Sequence, residues 1–147
     1  MKRRAAREIA VQMLYQIDMN NETAANVIDN VWDSIHDEEE NVQHDKNAYD
    51  FISQIVYGTT KYKEQVDEML KGFLKGWKME RLSKVDLQVL RLAVYEICVA
   101  NTPEKAMINE AVELAKHFGD EDSGKFVNGV LGKVVENKSL WITKEEK

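Results

Sequence analysis

Val85-Asp-Leu-Gln-Val-Leu90-Arg91-Leu-Ala-Val-Tyr95-Glu96-Ile-Cys98-Val-Ala100 is the stretch on which the fold turns. Twelve of its sixteen positions are apolar or aromatic, and the four polar ones are Asp86, Gln88, Arg91 and Glu96. A helix of this make-up has no broad face to offer water, so the segment is expected to form a central, mostly buried helix. Ser83, three residues ahead of Asp86, fits a capping box with the shorter carboxylate, which would satisfy free backbone donors at the helix start.

On the C-terminal side, Thr102-Pro103 predicts an N-cap threonine and a proline at the first position of a helix that runs to about Phe118 and stops at Gly119. A last helix is expected to begin near Asp122 or Ser123 and to carry Phe126, Val127, Val130, Leu131, Val134 and Val135. On the N-terminal side, Ala6, Ile9, Ala10, Met13, Leu14 and Ile17 share one side of a helical wheel. Arg4, Glu8, Val11 and Tyr15 are assigned to the opposite side, with Arg7 at the flank. A second helix is predicted from Thr23 to Ile35 on Val27, Ile28, Val31 and Ile35, with Trp32 beside them, followed by a solvated loop from Asp37 to His44. Further helices are predicted from about Asp45 to Thr60 through Tyr49, Ile52, Ile55 and Val56, and from about Lys63 to Lys75 through Val66, Met69, Leu70 and Phe73. Gly58, Gly72 and Gly76 are read as helix ends or close helix contacts, and Thr143 to Lys147 as a frayed end. A lone proline and seven scattered glycines leave little turn chemistry for a multi-stranded protein, so the fold class is all-α.

At 147 residues and 44% hydrophobic content the chain is long enough to bury a substantial core, and one domain over residues 1–147 is expected. Cys98 is single and lies in an apolar run, so it is read as a buried small hydrophobe outside any disulfide framework. Gln12 and Gln16 break the apolar stretch from Ile9 to Ile17, leaving no secretory core, and no run of about eighteen apolar residues exists for a membrane span. A reducing, cytoplasmic address follows as an expectation.

Charge points to the partner. The chain carries a net charge of −6, yet three of its five arginines, Arg3, Arg4 and Arg7, fall in the first seven residues beside Lys2. A local basic end on an acidic body favours one directed anionic partner over general stickiness. Arginines at a helix N-terminus oppose the macrodipole, and an anion would supply the reason for them. With Tyr15 on the outward face, cations and a ring together suit single-stranded RNA, whose splayed bases stack while its backbone needs positive charge.

Enzyme motifs fare worse. Gly119-Asp-Glu-Asp-Ser-Gly124-Lys125 matches seven positions of a phosphate-binding loop, but Phe126 stands where a hydroxyl should hold magnesium, and Asp120, Glu121 and Asp122 would repel phosphates. His36, His44 and His117 show no metal-ligand spacing with one another or with Cys98, and Glu110 and Glu113 read as a solvated face. No cofactor, metal or catalytic activity is expected.

Four blocks carry a resemblance. Arg3-Arg4-Ala-Ala-Arg7-Glu8-Ile-Ala-Val-Gln12-Met-Leu14-Tyr15, Val89-Leu90-Arg91-Leu-Ala-Val-Tyr95-Glu96, Ala106-Met-Ile-Asn109-Glu110-Ala-Val-Glu113-Leu-Ala-Lys116 and Lys125-Phe-Val-Asn-Gly-Val-Leu131 resemble, in order and over nearly the whole chain, the NusB family of bacterial transcription antitermination factors. The resemblance implies about seven helices in two packed subdomains and no enzymatic activity. It also implies binding to the boxA element of nascent RNA, as a heterodimer with the small-subunit ribosomal protein that doubles as NusE. That assembly joins other Nus factors to carry RNA polymerase through terminators, especially in ribosomal RNA operons. Some relatives form homodimers that cover the RNA face.

Carried over by residue, Arg3, Arg4 and Arg7 match the family's arginine-rich RNA-contacting start, while Ala5 stands where some members keep a further arginine. Asp122, Lys125 and Phe126 match a second RNA patch at the start of the final helix, and Asp86 matches an acidic position facing the ribosomal-protein partner. Two alternatives differ in class. One is the RNA-recruiting NusB-like module of an rRNA-modifying system, against which the chain shows no glycine-rich cofactor loop and ends about where a catalytic domain would begin. The other is a protein-only helical adaptor with the arginines idle.

Overall fold

A computed structural model describes residues 1–38, 45–74 and 82–141. Seven α-helices follow one another: α1 Arg3–Asn20, α2 Ala24–Glu38, α3 Lys46–Lys61, α4 Lys63–Phe73, α5 Lys84–Cys98, α6 Glu104–Phe118 and α7 Glu121–Glu136, closed by a short 3-10 turn at Lys138–Leu140. No strand occurs among the described residues, so the all-α expectation holds. The chain divides into two compact units, Met1–Thr60 and Lys61–Lys147.

The second unit is organised on α5, where every residue from Asp86 to Ile97 is buried. Its neighbours are α4, α6 and α7, and α6 packs most extensively on α7. Each large aliphatic side chain removed from water here contributes about 1.5–3 kcal/mol, which makes this stretch the energetic centre of the unit. Its polar residues are absorbed by specific partners. Arg91 donates from Nε and Nη2 to the two carboxylate oxygens of Asp67 on α4, both at 2.8 Å, while Glu96 accepts from the Thr102 hydroxyl at 3.2 Å. Ser83 Oγ accepts from the Asp86 N–H at 3.3 Å, which is the forward half of the expected capping box.

In this unit the ends of α4, α6 and α7 differ from the sequence reading. Pro103, not Thr102, occupies the N-cap of α6, and no side chain caps it. The threonine hydroxyl serves Glu96 instead, a carboxylate only 1% exposed, and a hydrogen bond to a buried charged group outweighs the ~1 kcal/mol of a helix cap. Helix α7 starts at Glu121, ahead of the expected Asp122 or Ser123, because Asp120 Oδ1 accepts the Ser123 N–H at 2.9 Å. Gly119 to Lys125 is therefore the junction of two helices rather than a phosphate loop. At Gly124 a Cβ would lie 2.9 Å from Lys116 Cγ, so the glycine permits the close approach of α6 and α7. Helix α4 ends at Phe73, short of Lys75. Cys98 is partly exposed rather than fully buried, and desolvation pushes its thiol up to about 11, Glu104 adding to the rise and Lys138 opposing it.

In the first unit, Ala6, Ala10, Met13 and Leu14 of α1 are buried as expected, whereas Ile9 and Ile17 are half-buried. Val11 corrects the wheel assignment: placed outward from sequence, it is 1% exposed. The packed stripe of α1 is therefore wider than the apolar face read from its wheel. Asn21, with φ of 55°, ends the helix in the left-handed region, and Thr23 Oγ1 accepts from the Asn26 N–H at 3.3 Å to start α2. Val27, Ile28 and Trp32 are buried, with Val31 and Ile35 half-buried. Asp37 and Glu38, expected in a loop, extend α2, and the remainder of that loop to His44 lies outside the described residues. Asp45 Oδ1 caps α3 through the Ala48 N–H at 3.0 Å, and Ile52, Ile55 and Val56 face inward. The Tyr49 hydroxyl donates to Asp29 Oδ1 at 2.9 Å, and its ring meets Trp32 edge-on at 5.4 Å, tying α3 to α2.

Of the glycines, Gly58 lies within α3 and Gly72 in the last turn of α4, the latter with open space around a would-be Cβ. Gly72 therefore marks a helix end rather than a close helix contact. Gly76 and Thr143 to Lys147 lie outside the described residues. No helix among the described residues is long and apolar enough to cross a membrane.

Candidate nucleic-acid interface

Helix α1 begins with no side-chain cap on its Lys2 N-cap and no acidic residue in its first turn. Its positive end therefore carries Arg3, Arg4 and Arg7 with no acidic residue in the same turn. The helical wheel divides them. Arg3 and Arg7 continue the row that runs on through Ala10 and Leu14, while Arg4 and Tyr15 share the solvent side. Lys2, Arg3 and Arg4 are exposed, Tyr15 is 38% exposed, and Arg7 is buried.

What gathers Arg3 and Arg7 is an aromatic ring absent from the sequence reading. The Arg3 guanidinium carbon lies 3.9 Å from the centroid of Phe51 on α3, and that of Arg7 lies 5.3 Å from the same centroid. Both are within cation–π range. Phe51 sits on the flank of the apolar face made by Ala48, Ile52, Ile55 and Thr59, and an aromatic at a flank position was the available signal. Nearby, the Met1 α-ammonium pairs with Asp45 Oδ2 at 2.6 Å. That ammonium, the Ala48 N–H and, more weakly, the Arg3 charge hold the Asp45 carboxyl below its ordinary range.

The second patch belongs to the other unit. Asp122, Lys125 and Phe126 lie three and four residues apart, so they share one side of the first turns of α7. Asp122 and Lys125 are exposed and Phe126 is half-buried. Asp122 also has a structural role, since acidic residues in a first turn complement the helix dipole. Asp86 reaches the same end of α7: its carboxylate accepts from the Ser123 side chain, with Asp120 close by. Burial, then the Asp120 charge, raise the Asp86 pKa from its ordinary value against the lowering effect of Ser123. At 8% exposure it offers a partner only a small area in this conformation.

No group of three or more His, Cys, Asp or Glu among the described residues is placed to hold a metal ion. Glu113 pairs with Lys116 at 3.8 Å, and His117 rests edge-on against Phe118 with ring centroids 4.8 Å apart. The chemistry on offer is recognition of an anion by cations held on aromatic and helical scaffolding.

Comparison with known proteins agrees. The chain is 44% identical over 143 residues to the transcription antitermination protein NusB of Acetivibrio thermocellus, covering 95% of this chain and 92% of the relative. The solved structure of NusB from T. maritima superposes with a TM-score of 0.80 at 30% identity, over 96% of this chain and 99% of that one. A crystal structure of antitermination factors NusB and NusE in complex with double-stranded RNA matches with a TM-score of 0.78 at 30% identity, over 92% of this chain and 96% of that one. With the NusB family model matching residues 4–136, the chain belongs to the NusB family.

Proposed function

We propose that this chain is a transcription antitermination factor, not an enzyme, that acts in the cytoplasm by binding boxA RNA as a heterodimer with the ribosomal protein NusE. Together with other Nus factors the heterodimer keeps RNA polymerase reading through terminators in ribosomal RNA operons. The observation that carries this reading is the likeness, over 92% of the chain, to a protein solved with NusE and RNA. The two units act as one RNA-binding domain over residues 1–147. Lys2, Arg3, Arg4 and Arg7 take backbone phosphates, since arginine forks suit phosphate oxygens. Tyr15 and Phe126 stack on bases, Asp122 and Lys125 extend the second patch, and Asp86 faces the basic partner.

The acidic body and small basic surface imply weak RNA binding by the chain alone. A basic protein docked beside it enlarges the positive surface. Titration of the chain, with and without NusE, against a boxA-like single strand, a scrambled strand and a duplex tests this. Tighter binding of the boxA-like strand in the presence of NusE is the expected result. Equal affinity for boxA-like and scrambled strands, or no gain with NusE, overturns it, and NusE binding without RNA binding returns the adaptor reading. Asp86→Lys places like charge against a basic partner and should weaken NusE capture while leaving intrinsic RNA affinity nearly unchanged.

A further inference from the structure

Ser123 is held by two carboxylates. Asp120 Oδ1, at the N-cap of α7, accepts its backbone N–H at 2.9 Å, and Asp86, in the first turn of α5, accepts its hydroxyl. Asp86 is itself fixed, because its own N–H donates to Ser83 Oγ at 3.3 Å and every residue from Asp86 to Ile97 is buried. The serine hydroxyl fills the space that Gly119 leaves open, where a Cβ would lie 2.5 Å from its Oγ. On the other flank of the same turn, Gly124 lies against Lys116 and Val112 of α6. Gly124 therefore seats the start of α7 on α6, and Ser123 seats it on α5. The two carboxylates also repel each other, which works against their common grip on Ser123. A cation beside Asp86 offsets that repulsion and lets both acids hold the serine more firmly.

Resting on the readings above that Asp86 faces NusE and that the start of α7 meets RNA, we propose that Ser123 couples the two events. A basic group of NusE beside Asp86 tightens the hold on Ser123 and so fixes the first turn of α7 in the form that receives RNA. Asp122 and Lys125, both exposed, share that turn and are positioned with it. Ordering the turn before RNA arrives removes part of the ordering cost of binding, so NusE raises RNA affinity through this bond as well as through added positive surface. Ser123 is a positioning residue and need touch neither NusE nor RNA.

The test measures, with the full chain and a boxA-like single strand, the factor by which saturating NusE raises RNA affinity. Ser123→Ala keeps the backbone bond to Asp120 and loses the hydroxyl, whereas Ser123→Thr keeps both. The alanine variant should lower the factor by about two- to tenfold, and the threonine variant should restore it. Because the factor is a ratio, a variant that merely weakens RNA binding or partly unfolds leaves it unchanged. In an Asp86→Lys background, Ser123→Ala should lower the factor no further. Without RNA, adding NusE should shift the Asp122 and Lys125 amide resonances in the parent and the threonine variant, and much less in the alanine variant. Equal factors in the parent and Ser123→Ala, or equal amide shifts in both, overturn the coupling role. A parent whose RNA affinity NusE does not raise overturns the underlying reading of NusE and RNA instead.

Discussion

Two settings for a guanidinium stand side by side in this protein. Arg91 lies in the middle of α5, 6% exposed, with Nε and Nη2 locked on both oxygens of Asp67 at 2.8 Å. Arg3 lies at the start of α1, exposed, with its guanidinium carbon 3.9 Å from the centroid of an uncharged ring. A carboxylate cancels the charge and spends the donor fork, which is what a cation in a dry interior requires. A ring orders the group and leaves the charge standing, which is what an anion-binding surface requires. Residue type is the same in both places, and the partner that folding supplies decides whether the charge is cancelled.

The sharpest way to break this contrast is to remove the carboxylate. Asp67→Ala should take the bidentate carboxylate from the buried Arg91 guanidinium and destabilise the chain by about 3–5 kcal/mol, read from urea denaturation. A loss below about 1 kcal/mol would mean that solvent reaches Arg91 and that the two settings do not differ in kind. Next in size is Leu90→Ala, beside Arg91 and fully buried, expected to cost about 2–5 kcal/mol through lost contacts and a residual cavity. A near-neutral result would remove α5 from the core.

Asp86 gives a smaller effect whose sign depends on pH. Its carboxyl is raised by burial, so the folded state binds the proton more tightly than the unfolded chain. The charged form therefore penalises folding, and the penalty grows as pH rises from the unfolded value through the folded one. Asp86→Asn should be slightly more stable than the parent at about pH 7, by less than about 1 kcal/mol, and the advantage should vanish below about pH 4. Destabilisation at neutral pH would show instead that the Ser123 hydrogen bond to the carboxylate outweighs its desolvation.

Smallest on stability is the solvent-side arginine. Arg4→Ala should change unfolding free energy by no more than about 0.5 kcal/mol, in contrast to the loss of Asp67. Its signature appears in RNA binding. With Arg3, Arg4, Arg7 and Lys125 each neutralising one phosphate, log affinity against log salt should slope at about −3, and Arg4→Ala should flatten it by about 0.7. An unchanged slope would place Arg4 outside the phosphate contacts.

Much of the architecture was legible because the apolar periodicity of each helix is a local property of the chain. Buried α5 followed from its lack of a polar face, and Asp45 to Thr60 lies within about a residue of the observed α3. Errors arose where a short polar side chain had two offers. Thr102 bonds Glu96 instead of capping α6, and Asp120, whose charge opposes phosphate as expected, also supplies the unforeseen cap of α7. The choice between such offers depends on which buried group needs a partner, and that group lies elsewhere in the sequence. Val11 failed for a related reason, since the breadth of the buried stripe on α1 is set by what packs on it.

The sequence by itself determined the helices, the buried centre on α5, the concentration of cations at the start of α1 and the family to which the four blocks point. These are properties of composition and spacing, which need no knowledge of neighbours. Tertiary structure alone decided that Arg91 would meet a carboxylate and that Arg3 and Arg7 would meet a ring. Asp67 lies 24 residues from Arg91, and Phe51 lies on a different helix from Arg3 and Arg7. A guanidinium's charge is a matter of sequence, but its use depends on the group that folding brings within a few ångströms of it.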